Sequence, residues 1–238
     1  MLGPAELTPQ EAVARPVALL ETISASDAPV YSWSTVTAPG LVLGRLAADP
    51  RLDQHAIAAE GVSVVRRCSG GGPVLWDLDL LALDVVLPRG HALAGDDVVA
   101  AYRWLGEAIA AALRALGARR VEVVSVVVAR AARAHPGPAV DACFGGLSPY
   151  EVLAGGRKVV GLSQARRRHG TLLQAGIPLS LDADRLTRLM GRGPEFAAGL
   201  AGSAAGLDEV LPAAARADVV AAVDASVRER LGVRLVEE

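Results

Sequence analysis

The chain has one lysine against 23 arginines, and that residue, Lys158, sits in the glycine-flanked segment GRKVVG between two apolar runs. An ammonium is a compact point charge whose proton affinity falls on burial, whereas a guanidinium stays charged. A chain that writes nearly every cation as arginine thereby marks Lys158 as a place where an amine is needed, the alternative being a surface lysine with no special task. Cys143, in DACFGG, lies fifteen residues before it. A thiolate is a nucleophile, and a nearby ammonium or turn amides favour it. If the chain folds back between them, the two form a Cys/Lys dyad, although a lone cysteine is more often a small buried hydrophobe.

The third feature is RRCSGGG, residues 66–72. Three consecutive glycines, Gly70, Gly71 and Gly72, let backbone approach a ligand closely and form an anion-binding concavity, with Arg66 and Arg67 to supply charge beside it. The spacing matches neither the dinucleotide fingerprint nor a phosphate loop, so a tight turn between strands explains it equally well. Cys68, inside this turn, reads as filler. His169 in RRRHG is the histidine nearest these motifs, and residues 166–168 read as a solvated hairpin end. His55, His91 and His135 have no partners at metal-ligand spacing, and no metal site is expected.

The elements that must position these residues follow from pattern. An amphipathic stretch at 9–23 precedes strands at 30–33 and 41–44 around a Pro39-Gly40 turn, and a short helix at 52–60. VSVVRR reads as a strand entering the glycine turn, with VLW and LLALDVVLP leaving it. Residues 96–116 carry Val99, Tyr102, Leu105, Ile109, Leu113 and Leu116 at helical spacing, with two aspartates first and Gly117 as the stop. VEVVSVVV predicts a strand, followed by a long Pro/Gly loop through Cys143. YEVLAGGRKVVGLSQ predicts a hairpin turning at Gly155-Gly156, and TLLQAGIPL a further strand. Helices are expected at 182–190, 207–211 and 214–231, with a glycine-rich loop at 191–206. Strands in the middle and helices at the flanks indicate an α+β fold with a mixed, mostly antiparallel sheet.

A net charge of −2 at a length of 238 residues argues against a nucleic-acid or anionic-membrane binder. The richest apolar stretch is too short and too interrupted to span a bilayer. MLGPAELTPQ has no basic residue before an apolar run, which points to a cytoplasmic protein, and two cysteines make no disulfide framework.

Taken together, VVRRCSGGGPVLWD and CFGGLSPYEVLAGGRKVVGLSQARRRHGTLLQAGIPL resemble the lipoate-protein ligase and octanoyltransferase family. Its members carry RRxSGGG or RRxTGG followed by an apolar-His-Asp, then GRKxxGSAQ and LLQHG. The resemblance runs over residues 30–231 and implies one catalytic domain across 1–238, with a helical part from about 181. It also implies the fold of biotin-protein ligase and, distantly, of class II aminoacyl-tRNA synthetases. A cysteine in CF, before YE and ahead of the lysine, looks like the octanoyltransferase branch, where that thiol carries the acyl group. The resemblance thus implies catalysis by Cys143 and Lys158, and substrate binding by Arg67, Ser69, Gly70, Gly71, Gly72, Asp77, Gly161, Ser163 and Gln164, with Val74 and Val160 along an alkyl tunnel. The implied reaction moves an octanoyl group from acyl carrier protein to a lysine of a lipoyl domain, such as glycine cleavage H protein, without ATP or other cofactor. Two alternatives stand beside it: an ATP-dependent ligase holding lipoyl-adenylate, with ATP and lipoate as its requirements and Cys143 incidental, or a non-catalytic member that binds an acyl chain or its carrier. The chain departs from the family pattern at Trp76, at LLALD, at Leu162 and at Ala175.

Overall fold

The computed structural model describes residues 2–47 and 52–232. Its main sheet has seven strands in the order β1-β2-β6-β10-β9-β8-β7. These are β1 (Leu2–Leu7), β2 (Val30–Val36), β6 (Leu80–Pro88), β7 (Val121–Val123), β8 (Val152–Ala154), β9 (Arg157–Arg166) and β10 (Gly170–Pro178). A smaller sheet, β4-β3-β5, joins β3 (Gly40–Leu43), β4 (Ser63–Arg66) and β5 (Val74–Trp76). The pairs β1–β2 and β3–β4 are parallel and the other neighbours antiparallel, so the sheet is mixed and mostly antiparallel as expected. The helices are α1 (Pro9–Thr22), α2 (Gln54–Ala59), α3 (Arg103–Ala115), α4 (Val126–Ala134), α5 (Ala183–Leu189), α6 (Pro194–Ser203), α7 (Leu207–Val210) and α8 (Arg216–Leu231).

All of β6 is buried, which is why LLALDVVLP is a continuous apolar run rather than an alternating one: both faces of the sheet are covered. On one face Leu81, Leu83, Val85 and Leu87 join Leu173 and Ile177 of β10 in a dry core beneath α3 and α8, which contribute Leu105, Ile109, Leu113, Val219, Val223 and Val227. The opposite face of β6 presents Leu80, Ala82, Asp84 and Val86. It is covered by α1, the small sheet and the segment around Cys143. The functional residues collect on this second face.

Three sequence expectations need correction. The strand expected over VEVVSVVV stops at Val123, because Ser125 caps a helix instead: its Oγ accepts the Val128 N–H at 3.2 Å and α4 begins. Valine's β preference yields here to a capping residue. The glycine-rich segment 191–206 contains α6, which starts at Pro194 and buries Phe196, Ala197 and Leu200 at helical spacing. The helix expected from residue 96 becomes regular only at Arg103, since the Asp97 carboxylate takes the N–H groups of Val99 and Ala100 and holds a tighter turn before it. Strand β1 carries no strand signature in its sequence, LGPAEL, and exists through its pairing with β2. Among the described residues no helix is long and apolar enough to cross a membrane.

Gly106, in the middle of α3, lets the helix rest on the segment leading to Glu151: a Cβ there would lie 2.1 Å from the Tyr150 carbonyl oxygen. Exposed helix glycines gain stability on change to alanine, by about 0.5–1 kcal/mol. Gly106→Ala is expected to do the opposite and lower the melting temperature, a sign that thermal unfolding followed by circular dichroism will read.

Candidate active site

Lys158 is 1% exposed, and its ammonium is surrounded by acceptors. Nζ lies 2.6 Å from Glu151 Oε1 and donates to the carbonyls of Cys143 at 2.7 Å and Gly146 at 3.0 Å. The three protons of the ammonium match three acceptors. Its charge also sits 5.3 Å from the centre of the Phe144 ring. Glu151 is fixed in turn, since Oε1 accepts the Leu162 N–H at 3.2 Å and Oε2 the Ser148 N–H at 2.7 Å. The lysine therefore ties both ends of the turn that carries Cys143 to strand β9.

A strand alternates faces, so Lys158 would be expected to share a face with Val160 and Leu162. It does not, because Leu153 of β8 pairs with Lys158 while the next residue, Val152, pairs with Val160. Val159 is an extra residue on β9, a bulge that turns Lys158 onto the face of Gly161 and Ser163. The consequence is convergence: the position a Cβ would take on Gly161 lies 3.5 Å from Lys158 Cε, 3.5 Å from Phe144 Cζ and 3.7 Å from Cys143 Sγ. Glycine at 161 leaves room for thiol, ring and amine stem over one spot.

The glycine turn closes on the thiol from the other side. Gly71 has φ +102°, a conformation L side chains rarely adopt, and its Cβ position lies 3.8 Å from Cys143 Sγ. At Gly72 a Cβ would strike the Asp141 carbonyl oxygen at 2.2 Å and the Cys143 nitrogen at 2.7 Å, and Cys143 N–H donates to Pro73 at 3.0 Å. The turn is glycine because the cysteine segment lies directly against it. Arg67 spans it, with its guanidinium donating to the carbonyls of Gly70 at 2.7 and 3.1 Å, Gly72 at 3.1 Å and Val42 at 3.4 Å.

Next to the thiol is a cavity whose empty space, counted together with its open mouth, is about 590 Å³. Val13, Val42, Val74, Trp76, Leu80 and Phe144 supply apolar walls, and Gly161 and Gly176 the floor. Cys143 also borders a second, more polar groove with Arg133, His135 and Ser148. The thiol thus stands between an apolar cavity and an open groove.

The expected site residues divide accordingly. Cys143, Arg67, Gly161 and Ser163 line the cavity, Ser69 is bonded to Ser163 behind it, Lys158 holds the Cys143 carbonyl, Gly71 and Gly72 border the polar groove, and Gly70 holds the turn through its carbonyl. Gln164 faces away, donating to the Val98 carbonyl, because it alternates with Ser163. Asp77 turns toward α5, its carboxylate 3.8 Å from Arg185, and burial raises its pKa. Val74 lines the cavity as expected, but Val160 belongs to the core under α3 and α8, displaced by the bulge. Cys68 packs with Leu20, Ile23 and Val86 beneath α1, where burial raises its thiol pKa, so it is filler. His169 is exposed at the β9–β10 turn, and Arg166 is not solvated there, since it donates to the carbonyls of Ala94 at 2.7 Å and Gly95 at 2.9 Å.

Sequence reasoning passed over Glu151, Gln174 and Asp84. Ser69 Oγ donates to Gln174 Oε1 at 2.5 Å, Gln174 Nε2 donates to Asp84 Oδ1 at 2.7 Å, and Ser163 Oγ lies 3.1 Å from Ser69 Oγ. Asp84 is 3% exposed, and burial pushes its pKa up to about 7. The legible signal was an acidic residue in the middle of the apolar run LLALDVVLP.

Residues 8–226 match the Lipoyl protein ligase A/B catalytic domain. The chain belongs to this family. It is 34% identical over 196 residues to the octanoyltransferase LipM of Moorella thermoacetica, covering 80% of this chain and 68% of the relative. With the octanoyltransferase LipM of Exiguobacterium sp. strain AT1b it shares 34% identity over 158 residues, covering 66% of this chain but 55% of the relative. The chain thus spans little more than half the length of several curated relatives. In fold it is similar to the bi-partite lipoate protein ligase of Thermoplasma acidophilum, solved in a study of that archaeal lipoylation system and its E2 lipoyl domain (TM-score 0.77, 20% identity, 100% of this chain and 85% of that one). The biotin protein ligase of Aquifex aeolicus shares the fold more distantly (TM-score 0.52, 13% identity, 97% of this chain and 69% of that one).

Family membership makes the departures readable. Leu162 and Ala175 are buried members of the core under α3 and α8 that also border the cavity, and Trp76 stands in the cavity wall.

Two outcomes follow. Removing one partner of a buried ion pair strands the other, at a cost of about 3–5 kcal/mol. Lys158→Ala and Glu151→Ala are each expected to lose stability on that scale, while the double variant loses clearly less than the two together in urea unfolding. Asp84, with its folded pKa raised above the ordinary 3.8, binds its proton more tightly folded than unfolded. Its ionised form therefore burdens the fold above about pH 7, and the burden fades as pH falls toward 4. Asp84→Asn is expected to raise the melting temperature at pH 8 and to lose most of that advantage at pH 4.5.

Proposed function

We propose that the chain is an acyltransferase that carries an octanoyl group on Cys143 between a donor thioester and a lysine amine. The observation that carries this reading is the placement of the thiol between an apolar cavity and an open polar groove, over a glycine floor and beside a buried Lys158–Glu151 pair. The octanoyltransferase relatives support the acyl group and the chemistry.

The Cys143 thiolate attacks the donor carbonyl, and the tetrahedral adduct collapses with loss of the donor's thiolate, which takes up a proton. One thioester replaces another, so this step needs no ATP. The acceptor amine then attacks the acyl-enzyme, the Cys143 thiolate leaves, and the proton lost by the amine returns to sulfur. The product amide is more stable than the thioester, which drives the transfer. Lys158 acts by position, holding the Cys143 and Gly146 carbonyls so that Sγ faces the cavity. Arg67 and the glycines keep the turn open for the acyl carbonyl. The donor is an acyl carrier protein, and the acceptor is a lipoyl domain or the similar H protein.

Intact mass spectrometry after incubation with an octanoyl-carrier thioester tests this. The expected result is one octanoyl adduct without ATP, lost on hydroxylamine treatment and absent from Cys143→Ala. An adduct that forms only with ATP, or that survives in Cys143→Ala, overturns the reading in favour of a ligase that holds lipoyl-adenylate.

A further inference from the structure

Helix α4 contributes little to the core. Of its nine residues only Ala129 is buried, in a small cluster with Val124 and Leu153. Valine ranks low among helix formers, yet three valines begin this helix, and Val127 is 76% and Val128 48% exposed. Neither burial nor propensity accounts for them. Val127, Arg130, Ala131 and Ala134 follow the i, i+3, i+4, i+7 spacing of one helix face, and all four are exposed. The outward stripe of α4 is thus aliphatic with an arginine set into it.

The same segment carries charge of one sign. Residues 125–140 hold Arg130, Arg133 and His135 and no aspartate or glutamate, in a chain whose net charge is −2. Among the described residues neither arginine has a hydrogen-bond or ion-pair partner, while the next acid along the chain, Asp141, is held by Arg192 at 2.7 Å. Arg133 and His135 continue this surface into the polar groove that ends at Cys143. The carboxylate bordering that groove, Glu151, is already paired with Lys158. With the acyl chain in the apolar cavity on one side of the thiol, the group that leaves the donor carbonyl must depart on the other, along the groove. The groove offers that group positive charge and no free carboxylate, which suits a phosphodiester and not a lysine ammonium.

Building on the acyl-transfer reading, we propose that the groove and the outward face of α4 together dock the acyl donor, an acidic carrier protein whose phosphopantetheine arm lies along the groove with its phosphate against Arg133. Val127 and Arg130 then meet an apolar and acidic patch on the carrier itself. A second copy of this chain does not fit there, because a two-fold contact through this face sets its arginines against one another. Arg130 and Arg133 are positioning residues for the donor and take no part in the bond changes at Cys143.

The test follows octanoyl loading of Cys143 by intact mass from three thioesters, those of pantetheine, of phosphopantetheine and of a whole acyl carrier protein, in the full-length wild type, Arg133→Ala and Arg130→Glu. The wild type is expected to load from the phosphorylated small thioester about threefold faster than from the unphosphorylated one, the scale of an exposed ion pair. Arg133→Ala is expected to bring that ratio close to one. Arg130→Glu is expected to slow loading from the carrier about tenfold relative to loading from the phosphopantetheine thioester, a gap that shrinks as salt is raised. Both arginines are exposed, so the variants are expected to keep the wild-type melting temperature. A wild type indifferent to the phosphate, an unchanged ratio in Arg133→Ala, or a carrier rate untouched by Arg130→Glu each overturns the proposal and leaves the acyl-transfer reading standing. Variants that load normally from every donor but fail to pass octanoyl to a lipoyl domain overturn it too, and assign the surface to the acceptor. So does loss of binding to phosphatidylglycerol vesicles in Arg130→Glu with carrier loading intact, which assigns it to a membrane. Labelling of Cys143 by none of the three thioesters overturns the acyl-transfer reading, and the proposal with it.

Discussion

An ammonium buried to 1% exposure must be neutralised and fully hydrogen-bonded, and in this protein one carboxylate and two carbonyls meet that demand. Much of the site's geometry depends on this. The carbonyls belong to Cys143 and Gly146, so satisfying the lysine sets the path of the turn bearing the thiol. Glu151 satisfies the lysine from the strand side, and its remaining capacity is taken by the Leu162 and Ser148 amides. The desolvation cost of the pair is thereby converted into position: the turn cannot drift without exposing an unpaired charge to an apolar interior.

The cavity is a product of the sheet's two faces having different loads. The face under α3 and α8 is packed with large aliphatic side chains. On the other face, glycines and an alanine occupy the row below the thiol, and the cover is shared among α1, a small sheet and a braced turn. Arg67 contributes by binding backbone carbonyls instead of solvent, which keeps a glycine-rich turn in one shape. Flexible residues and a rigid clamp together give close approach without collapse.

The chain's departures from the family pattern gather around the cavity, two of them shared with the core. Leu162 and Ala175 join the core, where the requirement is volume and apolarity, and also border the cavity. Trp76 and Asp84 sit on the cavity side, where a change alters what can be bound.

Much of this protein is determined by local sequence. Aliphatic runs bounded by glycine and proline specified most strands, the spacing of Leu105, Ile109 and Leu113 specified α3, and the lone lysine, the cysteine ahead of it and the triple glycine marked the site. These are short-range signals, readable because they reflect periodicity and residue chemistry. Where local signals competed, they misled: a valine run read as strand is helix after Ser125, and glycines that read as loop are carried within α6. The tertiary structure alone decided which face each residue joins. Strand period places Lys158 with Val160, and a one-residue bulge, stabilised by burying the ammonium against Glu151, places it with Gly161 instead. The alignment of Asp84, Gln174 and Ser163 in one row was equally invisible, because register between strands 90 residues apart is set by pairing and packing, not by either segment alone.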